Sequence, residues 1–340
     1  MFLVLELEDL YNHLKLGSAL SFFLMAAIKY FVLIIRENDI RSCINCIEMD
    51  WKNIRYMKDK NIMIKNAKFG RKLILVCGVF MYGGVIFYYV ALPMTYPKAV
   101  DESRNITYRR LVYPVPKIVA DIQVSPVNEI FYILQLLSGL VAHNITVATC
   151  GLAALLAMHA CGQLEILISW LECLLDDREN ASDTIDNRLA DIVEQHVRVL
   201  SFIKRTQKII KEISLVEIVG CTLNMCCLGY YCMVEWDIRQ PLGSVTYLIL
   251  LTSVTFNIFI FCYIGEILAE QTLKVGEKSY MIEWYRLPGK KNLALVLIIM
   301  MSNTSTRLTA GNLIPLSINS FSDVIKSAGA YLNMLRTFTI

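Results

Sequence analysis

Charge is what this sequence has least of. Lys, Arg, Asp and Glu supply 19 % of its 340 residues, whereas 56 % are apolar. A soluble domain normally carries about 25 % charged and about 45–50 % apolar residues. The shortfall says that lipid solvates part of the chain. The apolar content excludes disorder. A net charge of +3 with no basic stripe excludes a nucleic-acid binder. Histidine is scarce as well. The four, at 13, 143, 159 and 196, have no metal-ligand spacing, and no nucleophile motif accompanies them. A membrane enzyme is therefore disfavoured, and no cofactor is implied. A secretory signal peptide is missing, since no basic n-region or small-residue cleavage site opens the chain. Internal repeats and low-complexity tracts are also missing.

Cysteine is present but not as a framework. There are 11, an odd number, and Cys77, Cys150, Cys161, Cys221, Cys226, Cys227, Cys232 and Cys262 lie in apolar runs. That pattern is reduced and buried rather than bridged. Cys43 and Cys46 form a single CxxC without a second pair, read as structural rather than zinc-binding or redox-active.

Long hydrophobic runs are what is there. A membrane-spanning helix needs about 20 mainly apolar residues. Residues 17–35 and 73–93 qualify, with Lys29 expected to snorkel from the first. Residues 130–164 contain no Asp, Glu, Lys or Arg. At 1.5 Å per residue that run reaches about 50 Å, so it spans and continues beyond the lipid. Residues 213–236 and 245–265 give two more spans, with a polar turn around Pro241 and Gly243. Residues 293–301 are too short, at about 14 Å. Residues 313–335 are long enough, but Asp323 and Lys326 make that sixth span amphipathic, a wall against water or another subunit.

Orientation follows from charge. The segment 36–72 holds 10 basic and 5 acidic residues, so it is placed in the cytosol. Successive spans then put 94–129 outside, 165–212 inside and the C-terminus outside. The sequon Asn105-Ile106-Thr107 falls in the outer loop, which makes Asn105 a candidate glycosylation site. The divisions are 1–164 with the ligand-binding transmembrane helices, a cytosolic loop at 36–72 and an extracellular loop at 94–129, then a cytosolic helical extension at 165–212, two spans in 213–268, a cytosolic anchor at 269–312, and the pore helix with an extracellular C-terminus at 313–340.

The C-terminal third carries a recognisable signature. It comprises Phe261-Cys262-Tyr263, Trp284-Tyr285 before Lys290-Lys291, Leu308-Thr309-Ala310-Gly311, Pro315-Leu316-Ser317, Phe321 and Tyr331. Upstream, Glu48-Met49-Asp50-Trp51 adds a further landmark. In order and spacing these resemble the insect odorant receptors. The resemblance implies an all-α membrane protein, a seven-helix bundle with cytosolic N-terminus and extracellular C-terminus. It implies a ligand-gated, non-selective cation channel, tetrameric, usually built with a shared co-receptor. A multi-pass location in the plasma membrane of sensory-neuron dendrites is implied too. The run 17–35 precedes the Asp-Trp landmark, so it corresponds to the family's second span. The first helix is then missing, leaving six spans, and the chain reads as N-terminally truncated. The short 165–212 segment points to a tuning subunit rather than the co-receptor. A taste receptor of the same superfamily is the alternative. A G-protein-coupled receptor is disfavoured for want of an Asp-Arg-Tyr and an NPxxY motif.

The family's odorant pocket lies in the outer half of the bundle. A volatile apolar odorant needs an aromatic-lined apolar cavity with few polar anchors. Candidates at the outward ends are His13, Leu16 and Leu20; Tyr82, Phe87 and Tyr88, beside Tyr89 and Gly83-Gly84; Tyr132, Gln135, Leu136 and Gly139; and Tyr247, Leu250, Leu251 and Val254. His143 and Asn144 are expected in helix–helix hydrogen bonds. In the last helix Ser320, Asp323, Ser327, Ala330, Met334 and Thr337 share one face. Phe321, Ile325, Ala328, Leu332 and Leu335 form the apolar face beside it. The polar stripe is the candidate pore lining, with Asp323 favouring cations, and the resemblance puts the narrow point at Met334. Lys326 can pair with Asp323 three residues away.

Overall fold

The computed structural model describes residues 10–54, 56–95, 99–101, 106–108, 111–113, 125–175, 185–237, 241–287, 291–304 and 307–339. The candidate glycosylation residue Asn105 and the side chain of His13 lie outside the described residues.

The apolar runs fold into helices that mostly outlast the bilayer. They are α1 (Leu10–Ile35), α2 (Glu37–Lys52), α3 (Met57–Val85), α4 (Leu92–Thr95), α5 (Val127–Glu172), α6 (Ile185–Asp237), α7 (Pro241–Met281), α8 (Asn292–Asn303) and α9 (Ile318–Thr339). A π-helical turn, Ile86–Ala91, joins α3 to α4, and a 3₁₀ turn covers Trp284–Arg286. The helices α5, α6 and α7 have 46, 53 and 41 residues. At 1.5 Å per residue each exceeds the roughly 30 Å of hydrocarbon by a wide margin. The basic stretch before residue 73 is continuous with its span in α3, and the polar stretch before residue 213 with its span in α6.

Among the described residues, five helices are long and apolar enough to cross a membrane: α1, α3 with its continuation to Met94, α5, α6 and α7. The sequence expectation was six. The sixth, α9, has 22 residues, about 33 Å, but its Asp323, Lys326 and Arg336 dilute its apolar face. The expected turn at Pro241 and Gly243 is instead the first turn of α7. Proline suits that place, because its missing N–H would be unpaired there anyway.

Among the described residues, strand is confined to two antiparallel ribbons, β1 (Ala99–Asp101) on β2 (Ile106–Tyr108), and β3 (Thr309–Ala310) on β4 (Ile314–Pro315). The large core centres on the second half of α5, where Ala153, Ala154, Ala157, Ala160 and Cys161 are almost fully buried. Such small side chains let α6 and α7 approach closely. The helix α8 packs Leu295, Ile298 and Ser302 onto α7 and leaves Leu293, Val296, Leu297 and Met300 exposed. A second core of tyrosines occupies the opposite end of the bundle.

Lys29 does not snorkel. It is fully buried in α1, because Glu217 of α6 lies 2.8 Å from its Nζ and Thr146 of α5 accepts a second bond at 3.0 Å. The Asp50-Trp51 landmark has a structural role in α2. Asp50 is buried and accepts from His159 Nε2 of α5 and from Arg198 of α6, each at 2.9 Å. Burial pushes the Cys43 and Cys46 thiols up, which favours their protonated form.

Candidate functional site

The tyrosine core gathers the outward ends of α3, α5, α6 and α7. Tyr88, Tyr89, Tyr230, Tyr231 and Tyr247 are buried there with Val85, Leu92 and Val112. Two neighbouring tyrosines of one α-helix would point about 100° apart. The π-helical turn over Ile86–Ala91 widens the helix locally, and both Tyr88 and Tyr89 turn inward. Ring centroids are 5.3 Å apart for Tyr88–Tyr89 and for Tyr231–Tyr247, and 6.3 Å for Tyr88–Tyr247. Pairs at this separation contribute about 0.5–1.5 kcal/mol beyond area burial.

Polar groups fasten a loop residue into the same core. Tyr113 exchanges a hydroxyl bond of 2.8 Å with Tyr89. Its backbone is held twice by Gln135, which donates to its carbonyl at 2.9 Å and accepts from its N–H at 3.2 Å. Tyr132 donates to the Tyr89 carbonyl at 2.8 Å. Gly139 is required where it stands, because a Cβ there would sit 2.4 Å from the Tyr89 ring. Leu136 and Leu250 are half-buried against the cluster.

Other candidates fall elsewhere. Leu20, Tyr82 and Phe87 are 51 %, 36 % and 38 % exposed, so they face outward rather than into this core. For Phe87 the cause is the π turn, which gives the inward directions to the next two residues. For Leu20 it is helical phase, since α1 buries Ala19, Met25 and Ala26 instead. Leu251 and Val254 pack on the larger core, and Leu16 is half-buried in α1. His143 bonds within its own helix, to the Gly139 carbonyl at 2.8 Å, and its ring lies tilted 4.7 Å from that of Phe22. Asn144 does bond across, accepting from the Tyr82 hydroxyl.

The helix α9 touches the tyrosine core. Leu332 and Leu335 pack against it, and Leu332 would lie 3.0 Å from a Cβ at Gly229 of α6. Val324 and Ala328 are buried, and Phe321 meets Phe259 of α7 at 5.4 Å. Asp323, Ser327, Ala330, Met334 and Thr337 are exposed on the other side of α9. Ser320 is buried, donating to the Pro315 carbonyl at 2.6 Å, and Ile325 is exposed, so the two faces are offset slightly from the helical-wheel expectation. Lys326 reaches Asp323 at 3.4 Å.

Sequence reasoning missed what the 308–317 signature builds. Gln207 of α6 holds the N–H, carbonyl and hydroxyl of Thr309. The Gly311 N–H donates to the Lys211 carbonyl at 2.8 Å, and Glu266 of α7 accepts from the Ile318 N–H at 3.1 Å. Gly311 has φ +59° and sits against Leu215, and a Cβ on Gly265 would lie 2.3 Å from the Leu316 carbonyl oxygen. Both positions therefore need glycine. The signature is a joint that seats the start of α9 on α6 and α7.

The described residues thus form an all-α bundle of five long apolar helices with an amphipathic helix, α9, seated against its outer core. The insect olfactory receptor OR5 from Machilis hrabei, solved in complex with eugenol, superposes with a TM-score of 0.77 at 17 % identity, over 99 % of this chain and 84 % of that one. At that identity the likeness concerns the fold. The family described as 7tm Odorant receptor matches residues 14–329, and the chain belongs to it. Curated relatives include Odorant receptor 22c of Drosophila melanogaster, 21 % identical over 47 % of this chain, and Odorant receptor 10 of Aedes albopictus, 20 % identical over 62 %. The matched regions span 39 % and 56 % of those two relatives' lengths.

Proposed function

We propose that the chain is a tuning subunit of an odorant-gated, non-selective cation channel, assembled as a heterotetramer with a shared co-receptor in the plasma membrane of a sensory dendrite. The carrying observation is contiguity. The tyrosine core that would receive a volatile apolar odorant is the core on which Leu332 and Leu335 of α9 pack. A ligand that spreads Tyr88 from Tyr247 moves the surface on which α9 rests. The exposed stripe from Asp323 to Thr337 then lines the pore, with Met334 as its narrow apolar ring. The match to the odorant-receptor family favours this reading over a taste receptor or a G-protein-coupled receptor.

The test is current recorded from cells carrying this chain and the co-receptor, over a panel of volatiles. Odour-evoked cation current is expected from the pair and none from this chain expressed alone. Tyr88→Ala or Tyr247→Ala should raise the half-maximal concentration about tenfold or more, the loss of roughly 1.4 kcal/mol of contact. Current from this chain alone would refute the subunit assignment. Unchanged dose–response in both tyrosine variants would refute the pocket.

A further inference from the structure

A cavity of about 700 Å³ lies between α3 and α5, away from the tyrosine core. Its walls are Ile74, Leu75 and Val79 of α3 and Val147, Leu155 and Met158 of α5. It is deep because Ala67, Gly70, Gly78 and Gly162 line it with little or no side chain. Its polar rim gathers at one end, where Trp51, Asn66, Arg71 and His159 stand. Two of the four rim residues, Asn66 and His159, are already engaged. Glu165 holds Lys65 and Asn66, at 2.7 and 2.8 Å, and Asp50 holds His159. Among the described residues, no carboxylate pairs with Arg71.

The cavity follows α3 from Met63 to Tyr82. Its part beyond Arg71, out to Tyr82, is about 16 Å long, close to half of the roughly 30 Å hydrocarbon thickness. The cationic end is the end that charge assigns to the cytosol. Residues 57–72 carry six basic side chains (Lys58, Lys60, Lys65, Lys68, Arg71 and Lys72) against the single acid Asp59. Trp51, 37 % exposed, stands at the same level, where an indole suits the headgroup boundary. Apolar length, an aromatic at the interface and an unpaired guanidinium at its edge match an acyl chain with an anionic headgroup.

We propose that this groove binds an anionic phospholipid of the cytosolic leaflet. One acyl chain lies along Ile74, Gly78 and Val79, and the headgroup phosphate meets Arg71. The cytosolic leaflet is where such lipids concentrate. The site is independent of the odorant-pocket reading, since it uses neither the tyrosine core nor α9.

The experiment places the chain in nanodiscs of phosphatidylcholine doped with a phosphatidylserine analogue bearing a photoreactive diazirine on its acyl chain. Labelled peptides are then mapped by mass spectrometry. Labelling is expected within residues 74–82 and 147–158. Unlabelled phosphatidylserine should compete about fivefold better than phosphatidylcholine, the effect of about 1 kcal/mol for one cation near the surface. Arg71→Gln should erase that preference and Arg71→Lys should keep it. Gly78→Leu should remove groove labelling by either lipid, because a Cβ there meets only the Tyr82 ring at 3.9 Å and the new side chain enters the groove. If that variant unfolds, Leu75→Trp fills the groove from a wall position that is already 61 % exposed. The proposal is overturned by equal competition from both lipids with no response to Arg71→Gln. It is overturned equally by labelling confined to other faces, or by groove labelling that a small volatile displaces and phospholipid does not.

Discussion

Lys29 and Glu217 make an ion pair 2.8 Å long with both side chains 1 % exposed. Asn257 donates to the other Glu217 oxygen, and the Cys221 thiol stands 3.2 Å from it. The pair thus joins α1, α5, α6 and α7 inside the spans. A buried pair adds little net stability over an apolar substitute, but removing one partner strands the other charge and costs about 3–5 kcal/mol. Lys29→Met alone should therefore lower thermal stability in detergent sharply. Lys29→Met with Glu217→Gln should recover most of it, because no charge is stranded and Asn257 keeps an acceptor. Equal loss in single and double variants would show that the residues matter separately. A lone lysine in an apolar run reads as snorkelling, because its partner lies 188 positions away and only packing brings it near. The tyrosine core was partly legible for the converse reason. Tyr88 and Tyr247 sit at the outward ends of recognisable spans, whereas the inward turn of Tyr89 and the outward turn of Phe87 depend on a π turn that periodicity does not reveal.

At the scale of elements the joint before α9 is the part most open to test. Its order and spacing are readable in sequence, but its partners come from α6 about 100 residues earlier, so the motif shows no role by itself. The structure supplies one. Gly265 admits the Leu316 carbonyl, and Glu266 caps the first N–H of α9. Gly265→Ala forces that carbonyl away and should tilt or loosen α9 without touching the tyrosine core. Under the proposed function this shifts maximal odour-evoked current and basal current while leaving the rank order of active volatiles unchanged. Glu266→Gln, which keeps a weaker acceptor, should shift gating less. A changed odorant ranking in Gly265→Ala would mean that the joint shapes the pocket, not the coupling. The helices themselves were legible from apolar run length. Their extension beyond the bilayer was legible for α5, where the run stays uncharged for 35 residues, and for the polar stretch before the α6 span, read as a helical extension at 165–212.

For the whole molecule, the exposed apolar surface of α8 decides what the chain does next. Leu293, Val296, Leu297 and Met300 are 49–62 % exposed on a helix whose other face is buried against α7. Residues 293–301 fall within the segment expected to form a cytosolic anchor, yet these four side chains stay largely uncovered by the described residues. The charge-derived orientation puts α8 on the cytosolic side, beyond the spanning segments. A patch of this kind in water marks a protein interface or aggregates. Under the proposed tetramer it is the natural contact with a neighbouring subunit, at the end of the bundle opposite the tyrosine core. Leu297→Glu with Met300→Lys leaves Leu295, Ile298 and Ser302 in place against α7, so the fold of the single chain should persist. Assembly should fail. Cross-linking or single-molecule photobleaching would then show monomers where the parent chain and co-receptor give tetramers, and odour-evoked current would vanish with odorant binding retained. Intact tetramers in the double variant would place the subunit contact elsewhere, and the apolar face of α8 would then need a different partner.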